Sequence, residues 1–152
     1  DKYKIILSYI QDLSIEIPSP ESLLTIRNTI PEFQMQVGIN SKPLKRKMIE
    51  VVTTLNYSNP SKKKVTGFFE IKYATVINVL DLKIEKKELE KIVLCDLQIK
   101  IYPELEQKFL TILINLNFTQ LQLNILLFSI KLPKSGCQYS PYFITTPVFL
   151  IV

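Results

Sequence analysis

Residues 9–20 alternate apolar and polar side chains and then end in a proline-rich turn. Because successive side chains of a β-strand point to opposite faces, this alternation predicts a strand with one face toward a core. The inward positions are Leu13, Ile15 and Ile17. The outward positions are Asp12, Ser14 and Glu16. Two carboxylates on one outward face are either a solubility feature or a recognition patch for a basic partner.

Three further segments alternate in the same way and predict three more strands, over residues 33–40, 49–57 and 64–79. A Ser-Asn-Pro-Ser turn signal after Tyr57 predicts a hairpin between the last two. In the last strand, Phe69 and Ile71 fall on the core face, whereas Phe68 and Glu70 fall on the polar face. An exposed aromatic beside an acid is either ordinary surface or a contact site.

The remaining segments predict helices and connections. Residues 18–31 are short and bounded by prolines, which predicts a crossover connection with an apolar patch rather than a long helix. Residues 83–97 carry apolar side chains at helical spacing. A fresh helix is predicted to begin near Pro103, because proline is tolerated in the first helical turn.

The pattern changes after Leu123, and the chain is therefore divided into a domain over residues 1–123 and a divergent apolar C-terminal segment over residues 124–152. An exposed apolar tail favours aggregation. This segment must accordingly be buried, paired in a sheet or inserted into a partner, or else not be native sequence.

The chain of 152 residues has no histidine, and this limits the kinds of catalytic and metal-binding site that it can form. It excludes Ser-His-Asp and Cys-His nucleophile pairs and any imidazole metal site. Cys95 and Cys137 are far apart and form no C-x-x-C motif, so a zinc site and a thioredoxin-like redox pair are not indicated. We therefore expect no enzyme activity, no cofactor and no metal. The two cysteines suit a reducing cytoplasm, where we expect the protein to act.

The net charge is +5 at pH 7, and the cations cluster at residues 42–47, at residues 62–64 and around Lys86. Clustered cations can contact phosphates. Here, however, each cluster falls in a predicted loop or solvated helix face, without the interleaved aromatic side chains that a base-stacking surface needs. Nucleic-acid binding is therefore not expected. The chain also contains no apolar run long enough for a transmembrane helix.

Four pieces of the sequence resemble the SecB family of protein-export chaperones, in family order and at about the family spacing. They are residues 9–20, Gly67-Phe68-Phe69-Glu70-Ile71, Ile101-Tyr102-Pro103-Glu104 and residues 117–123. The resemblance implies an α+β fold, in which a four-stranded antiparallel sheet carries helices on one face. It also implies a homotetramer, formed as a dimer of dimers, that holds unfolded precursor proteins without ATP and passes them to the SecA translocase ATPase.

The resemblance assigns roles to particular residues as well. The family's acidic and apolar contacts with the SecA motor fall, by motif, on Asp12, Glu16, Phe68 and Glu70. Two family features, a helix that covers the client groove and a polar tail that engages the motor, are not visible after Leu123.

Two further sets of apolar residues are candidates for binding. A client groove is predicted beside the 18–31 crossover and the helix after Pro103, with Leu23, Leu24, Ile26 and Phe33 as its residues. An oligomer interface is predicted on the helical stripes, because they exceed what one face of a small sheet can cover. Its residues are Ile92, Val93, Leu97, Phe109, Ile112, Leu113 and Leu116.

Two alternatives to an export chaperone are left open by the sequence. The first is a SecB-like chaperone that guards an antitoxin in a toxin–antitoxin system. The second is an interaction protein that has kept the fold and lost client binding.

Overall fold

The computed structural model describes residues 2–29, 33–59, 67–81 and 83–115. Four antiparallel strands form one sheet in the order β1-β4-β3-β2. The strands are β1 (Tyr3–Glu16), β2 (Gln34–Pro43), β3 (Met48–Ser58) and β4 (Phe68–Val79). The helices are α1 (Pro20–Thr29), α2 (Lys86–Lys91) and α3 (Leu97–Asn115), with a π-helical turn at Ile92–Asp96 between the last two. The predicted α+β class and four-stranded antiparallel sheet are confirmed.

The core lies between one face of the sheet and the helices, as the alternation in β4 predicts. Phe69, Ile71, Tyr73 and Ile77 are buried at 1% exposure or less. Across β2 and β3 the same face supplies a further set of buried apolar side chains: Val37, Ile39, Val51, Leu55 and Tyr57. The opposite face of the sheet carries no helix in the part of the chain that the structure describes, so it is called the open face below.

β1 is longer than the sequence predicts: it begins at Tyr3 rather than near Tyr9. Its pairing with β4 shifts register between Ile5 and Leu7 and again between Ile10 and Asp12. A bulge places one extra residue in a strand and reverses the alternation of its side chains. Because of these irregularities, the alternation of apolar and polar residues does not identify the first half of the strand.

The crossover between β1 and β2 contains the ten-residue helix α1, where the sequence predicts an irregular connection. Pro20 occupies its first position, where the missing N–H was not needed. The Ser19 hydroxyl accepts a hydrogen bond from the backbone N–H of Ser22 at 3.1 Å and so caps the helix. Ile26 is fully buried and fixes the helix to the core.

The second helical region runs from Lys86 to Asn115 without interruption. Its π-helical turn adds a residue relative to an α-helix and so rotates the apolar stripe before α3 begins. Gln98 lies next to this turn and is buried at 4% exposure. Its Nε2 donates to the carbonyl of Val93 at 3.0 Å, and its Oε1 accepts from the Thr53 hydroxyl at 2.9 Å. The helix is thereby joined to β3 through a buried polar side chain whose donor and acceptor are both used.

The prediction that a fresh helix begins at Pro103 is wrong, because Pro103 lies inside α3. An interior proline costs a helix about 3 kcal/mol. A stripe of buried side chains nevertheless continues through it: Leu97, Ile101, Leu105, Phe109 and Leu113. Burial of each such side chain stabilises by about 1.5–3 kcal/mol. Packing against the sheet therefore outweighs the local penalty. The apolar segment over residues 124–152 lies outside the described residues.

Candidate docking face on the open side of the sheet

The outward residues of β1 and β4 meet on the open face, because these two strands are neighbours in the sheet. Glu16 lies directly opposite Phe68, Ser14 opposite Glu70, and Asp12 opposite Lys72. Side chains opposite each other in an antiparallel pair have Cβ atoms about 4.5–5.5 Å apart. The structure thus brings together all of the predicted motor-contact residues. We call Asp12, Glu16, Phe68 and Glu70 the acidic patch.

Lys72 lies within the acidic patch and partly neutralises it. Its Nζ is 3.7 Å from Asp12 Oδ2 and 3.4 Å from Glu70 Oε1. Two carboxylates therefore share one ammonium group. With Glu16 as a third carboxylate, the patch is net negative in a chain whose net charge is +5. Glu16 takes no part in these two ion pairs, and it is exposed. A partner with positive charge is the one that this surface favours.

Glu70 is held in place from β3 as well. Asn56 Nδ2 donates to Glu70 Oε2 at 3.1 Å, and the two residues are opposite each other in the β3–β4 ladder. Sequence reasoning assigned a role to neither Asn56 nor Lys72. Lys72 has the same strand parity as Glu70 and could have been found by alternation. Asn56 could not, because its position opposite Glu70 depends on the register of the β3–β4 hairpin, which the turn signal alone does not fix.

A shallow cleft of about 350 Å³ continues the open face from the acidic patch toward the edge strand β2. Gly38, which has no side chain, and Glu70 both line it. The other lining residues are Gln36, Val37, Ile39, Asn40, Thr54 and Asn56. The cleft therefore presents amide and hydroxyl groups beside one carboxylate, a combination that suits a basic side chain of a partner.

Tyr9 borders the acidic patch at the end formed by Asp12 and Lys72. It lies opposite Ala74, and its hydroxyl donates to Glu50 Oε1 on β3 at 2.9 Å. The phenol must therefore reach across β4, and Ala74 is fully buried although it is on the open face. The hydrogen bond to Glu50 raises the pKa of Tyr9, because it favours the protonated hydroxyl.

The residues predicted to line a client groove separate into two groups. Leu23 and Leu24 are exposed on α1, at 36% and 61%. Ile26 is fully buried and Phe33 is 6% exposed, so both belong to the core of the single chain. Phe33 packs against Tyr57 and Phe69, with ring centroids 5.3 Å and 6.4 Å away. Of the four predicted groove residues, Leu23 and Leu24 are therefore the ones that the single chain leaves exposed to a client.

Most residues of the predicted oligomer interface on the helices also lie in the core of the single chain. Five of its members have at most 1% exposure in the core of the single chain: Ile92, Val93, Leu97, Phe109 and Leu113. Ile112 is partly buried against the same core. Leu116 lies outside the described residues. The sheet and helices of one chain therefore cover the described part of this stripe.

Exposed apolar surface lies instead along the free edge of β1. The side chains there are more than 40% exposed: Ile6, Leu7, Tyr9, Ile10 and Leu13. β1 is an outer strand of the sheet, so the backbone groups on its outer side have no ladder partner among the described strands. A long apolar edge of this kind is a site for pairing with another strand.

The described residues contain no cluster of three or more acidic or cysteine side chains that could hold a metal ion. Among their helices, none combines the length and apolar character needed to cross a membrane.

Comparisons with known proteins agree with this architecture. Residues 1–130 match the sequence model of the family described as "Preprotein translocase subunit SecB". A Pelagibacter ubique (strain HTCC1062) protein named "Putative protein-export protein SecB" is 40% identical over 113 residues, covering 74% of this chain and 81% of that protein. A solved Mycobacterium tuberculosis SecB-like chaperone, bound to a peptide from an antitoxin, has a similar fold. Its TM-score is 0.51 at 9% identity, over 76% of this chain and 85% of that one. The chain therefore belongs to the SecB family.

Proposed function

We propose that this protein is an ATP-independent holdase that binds unfolded precursor proteins and passes them to the SecA ATPase for export. The observation that carries the proposal is the acidic patch, because it combines net negative charge with the partly exposed ring of Phe68. In such a contact, charge steers the encounter and the ring supplies buried apolar area. The 40% identity to a protein named for export favours this role. The antitoxin-bound chaperone, at 9% identity, supports the fold alone.

Reversing the charges of the acidic patch should weaken SecA binding. We expect Asp12→Lys combined with Glu16→Lys to lower the affinity for SecA by roughly tenfold or more, because exposed pairs contribute up to about 1 kcal/mol each and reversal adds repulsion. The loss should shrink as salt rises, since screening acts over about 8–10 Å in physiological buffer. Titration of SecA against the wild type and the variant, at low and high salt, measures the effect.

The matched control is Glu85→Lys combined with Asp96→Lys, which changes the net charge equally on the helical side. Both residues are exposed, and the Glu85 side chain forms no capping hydrogen bond. The control should bind SecA like the wild type, and both variants should still suppress aggregation of an unfolded test protein. Equal affinities of wild type and patch variant at low salt would contradict the docking proposal.

We further infer that the chain self-associates through the free edge of β1, toward a homotetramer built as a dimer of dimers. Light scattering at micromolar concentration should give a mass above that of one chain. Ile10→Lys combined with Leu13→Lys should lower this mass, because charges on an edge strand oppose pairing. The monomer should lose little stability, since both side chains are more than 40% exposed. A monodisperse wild-type monomer would rule the inference out.

A further inference from the structure

The turn that joins β2 to β3 has an unusual backbone. The Met48 N–H donates to the Lys45 carbonyl at 3.4 Å, and the Leu44 N–H donates to the Met48 carbonyl at 2.8 Å. The two residues inside the turn, Arg46 and Lys47, have φ of 59° and 61°. Positive φ at both central positions is the requirement of a type I′ turn, where Asn-Gly is the preferred sequence.

Arg and Lys are poor choices for this backbone. A left-handed conformation costs an ordinary L-residue roughly 1–2 kcal/mol, because Cβ approaches the following carbonyl. The stability of the hairpin therefore does not explain why cations occupy both positions. Strained residues persist where the surrounding structure holds them, and they are often found at functional sites.

The cations of this turn are available to a partner. Lys45, Arg46 and Lys47 are exposed, and none forms an ion pair with another residue in the described part of the chain. Lys42, on the adjoining part of β2, lies opposite Glu50 and is therefore partly balanced. We call Lys45–Lys47 the cationic turn.

Two exposed leucines accompany the cationic turn. Leu44 precedes it and is 37% exposed, and Leu80 is 52% exposed. Leu80 is close because the neighbouring Val79 N–H donates to the Lys47 carbonyl at 3.1 Å. No aromatic side chain occurs between Lys42 and Met48, so the turn has no ring for stacking on a base. Cations beside exposed leucines suit the interface of an anionic bilayer, which accepts both charge and apolar groups.

We propose that this end of the sheet docks on anionic phospholipid headgroups. In this contact Lys45, Arg46 and Lys47 face the phosphates, while Leu44 and Leu80 enter the interfacial layer. The proposal goes beyond the function proposed above, because it concerns the protein alone and requires neither a client nor SecA.

The position of the cationic turn leaves the acidic patch free. The turn contacts the end of β4 at Val79, whereas the acidic patch lies between the Asp12–Lys72 pair and the Glu16–Phe68 pair. At about 3.3 Å per residue, Lys72 and Val79 are roughly 23 Å apart along the strand. One molecule can therefore contact a membrane surface at one end and a basic protein at the other.

The test uses vesicle flotation with the full chain. The probes are vesicles of phosphatidylcholine with about a third phosphatidylglycerol, and vesicles of phosphatidylcholine alone. The wild type should float with the anionic vesicles and not with the neutral ones. The variant Lys45→Ser, Arg46→Asn, Lys47→Gly should bind the anionic vesicles roughly a hundredfold more weakly, at about fivefold per cation lost. Its melting temperature should rise, because Asn-Gly suits the turn.

The control variant is Lys86→Gln, Lys87→Gln, Lys91→Gln, which removes as many cations from an exposed helical surface. It should bind anionic vesicles nearly as well as the wild type. An equal loss in both variants would show that net charge alone is responsible and would overturn the proposal. So would a wild type that does not float with anionic vesicles, or one that binds RNA through the same residues and lipid not at all.

Discussion

Replacing Phe33 by alanine should lower the free energy of unfolding by about 3–5 kcal/mol, the range for deleting a buried aromatic side chain. Phe33 is 6% exposed and packs between Tyr57 and Phe69, whose own ring centroids are 6.5 Å apart. These rings connect the beginning of β2 with the centre of the sheet. Truncation would leave a cavity that the neighbouring strands cannot close. Urea unfolding followed by circular dichroism measures the loss.

Leu24→Ser is the matched comparison, because Leu24 was assigned to the same client groove but is 61% exposed. It should change stability by no more than about 0.5 kcal/mol. Combined with Leu23→Ser, it should reduce the suppression of aggregation of an unfolded test protein. If this pair leaves the activity unchanged in a folded protein, clients bind elsewhere. If Phe33→Ala keeps full stability and loses only client binding, Phe33 is not the core residue that its burial indicates.

Replacing Gly67 by alanine should cost about 2–4 kcal/mol, from backbone strain together with overpacking. Gly67 has φ of +150°, which L-residues rarely adopt. An added Cβ would lie 2.6 Å from Ile26 Cδ1 and 2.9 Å from the carbonyl oxygen of Glu16. The Ile26 side chain can shift, whereas the Glu16 carbonyl belongs to β1. Thermal and urea unfolding should both show the loss.

Gly38→Ala is the control for this prediction. Gly38 lies in the middle of β2 without a positive φ and borders the open cleft. Alanine there should be neutral or stabilising by about 0.5–1 kcal/mol, because it reduces the freedom of the unfolded chain. Adding Ile26→Val to Gly67→Ala should recover only part of the loss, since the Glu16 contact and the backbone strain remain. A Gly67→Ala protein as stable as the wild type would contradict the argument.

Local periodicity was sufficient wherever one face of a regular strand is buried. In β4, Phe69, Ile71 and Tyr73 point inward, and Phe68 and Glu70 point outward, as alternation predicts. The reason is geometric, because a one-residue change of register would expose the entire apolar set. Periodicity failed in the first half of β1, where two irregularities change the phase.

Long-range packing decided the features that local rules misjudged. Pro103 is a helix-start signal by itself, yet α3 continues through it because its buried stripe outweighs the local penalty. The composition of the helical stripe did not show which surface it packs against, since an apolar stripe fits a sheet or a second subunit equally well. The exposures of Leu23, Leu24, Ile26 and Phe33 likewise depend on how α1 and β2 pack.

Composition and period by themselves determined the inward and outward faces of β4 and the absence of histidine chemistry. The α+β class was implied by the resemblance to the SecB family. Only the tertiary structure decided the full strand order and the registers of the pairs, and these place Lys72 and Asn56 next to Glu70 on the open face. It also decided that, among the described residues, β1 rather than the helical stripe carries the exposed apolar edge. Strand order and burial depend on contacts between residues far apart in the chain, and local periodicity carries no information about those contacts.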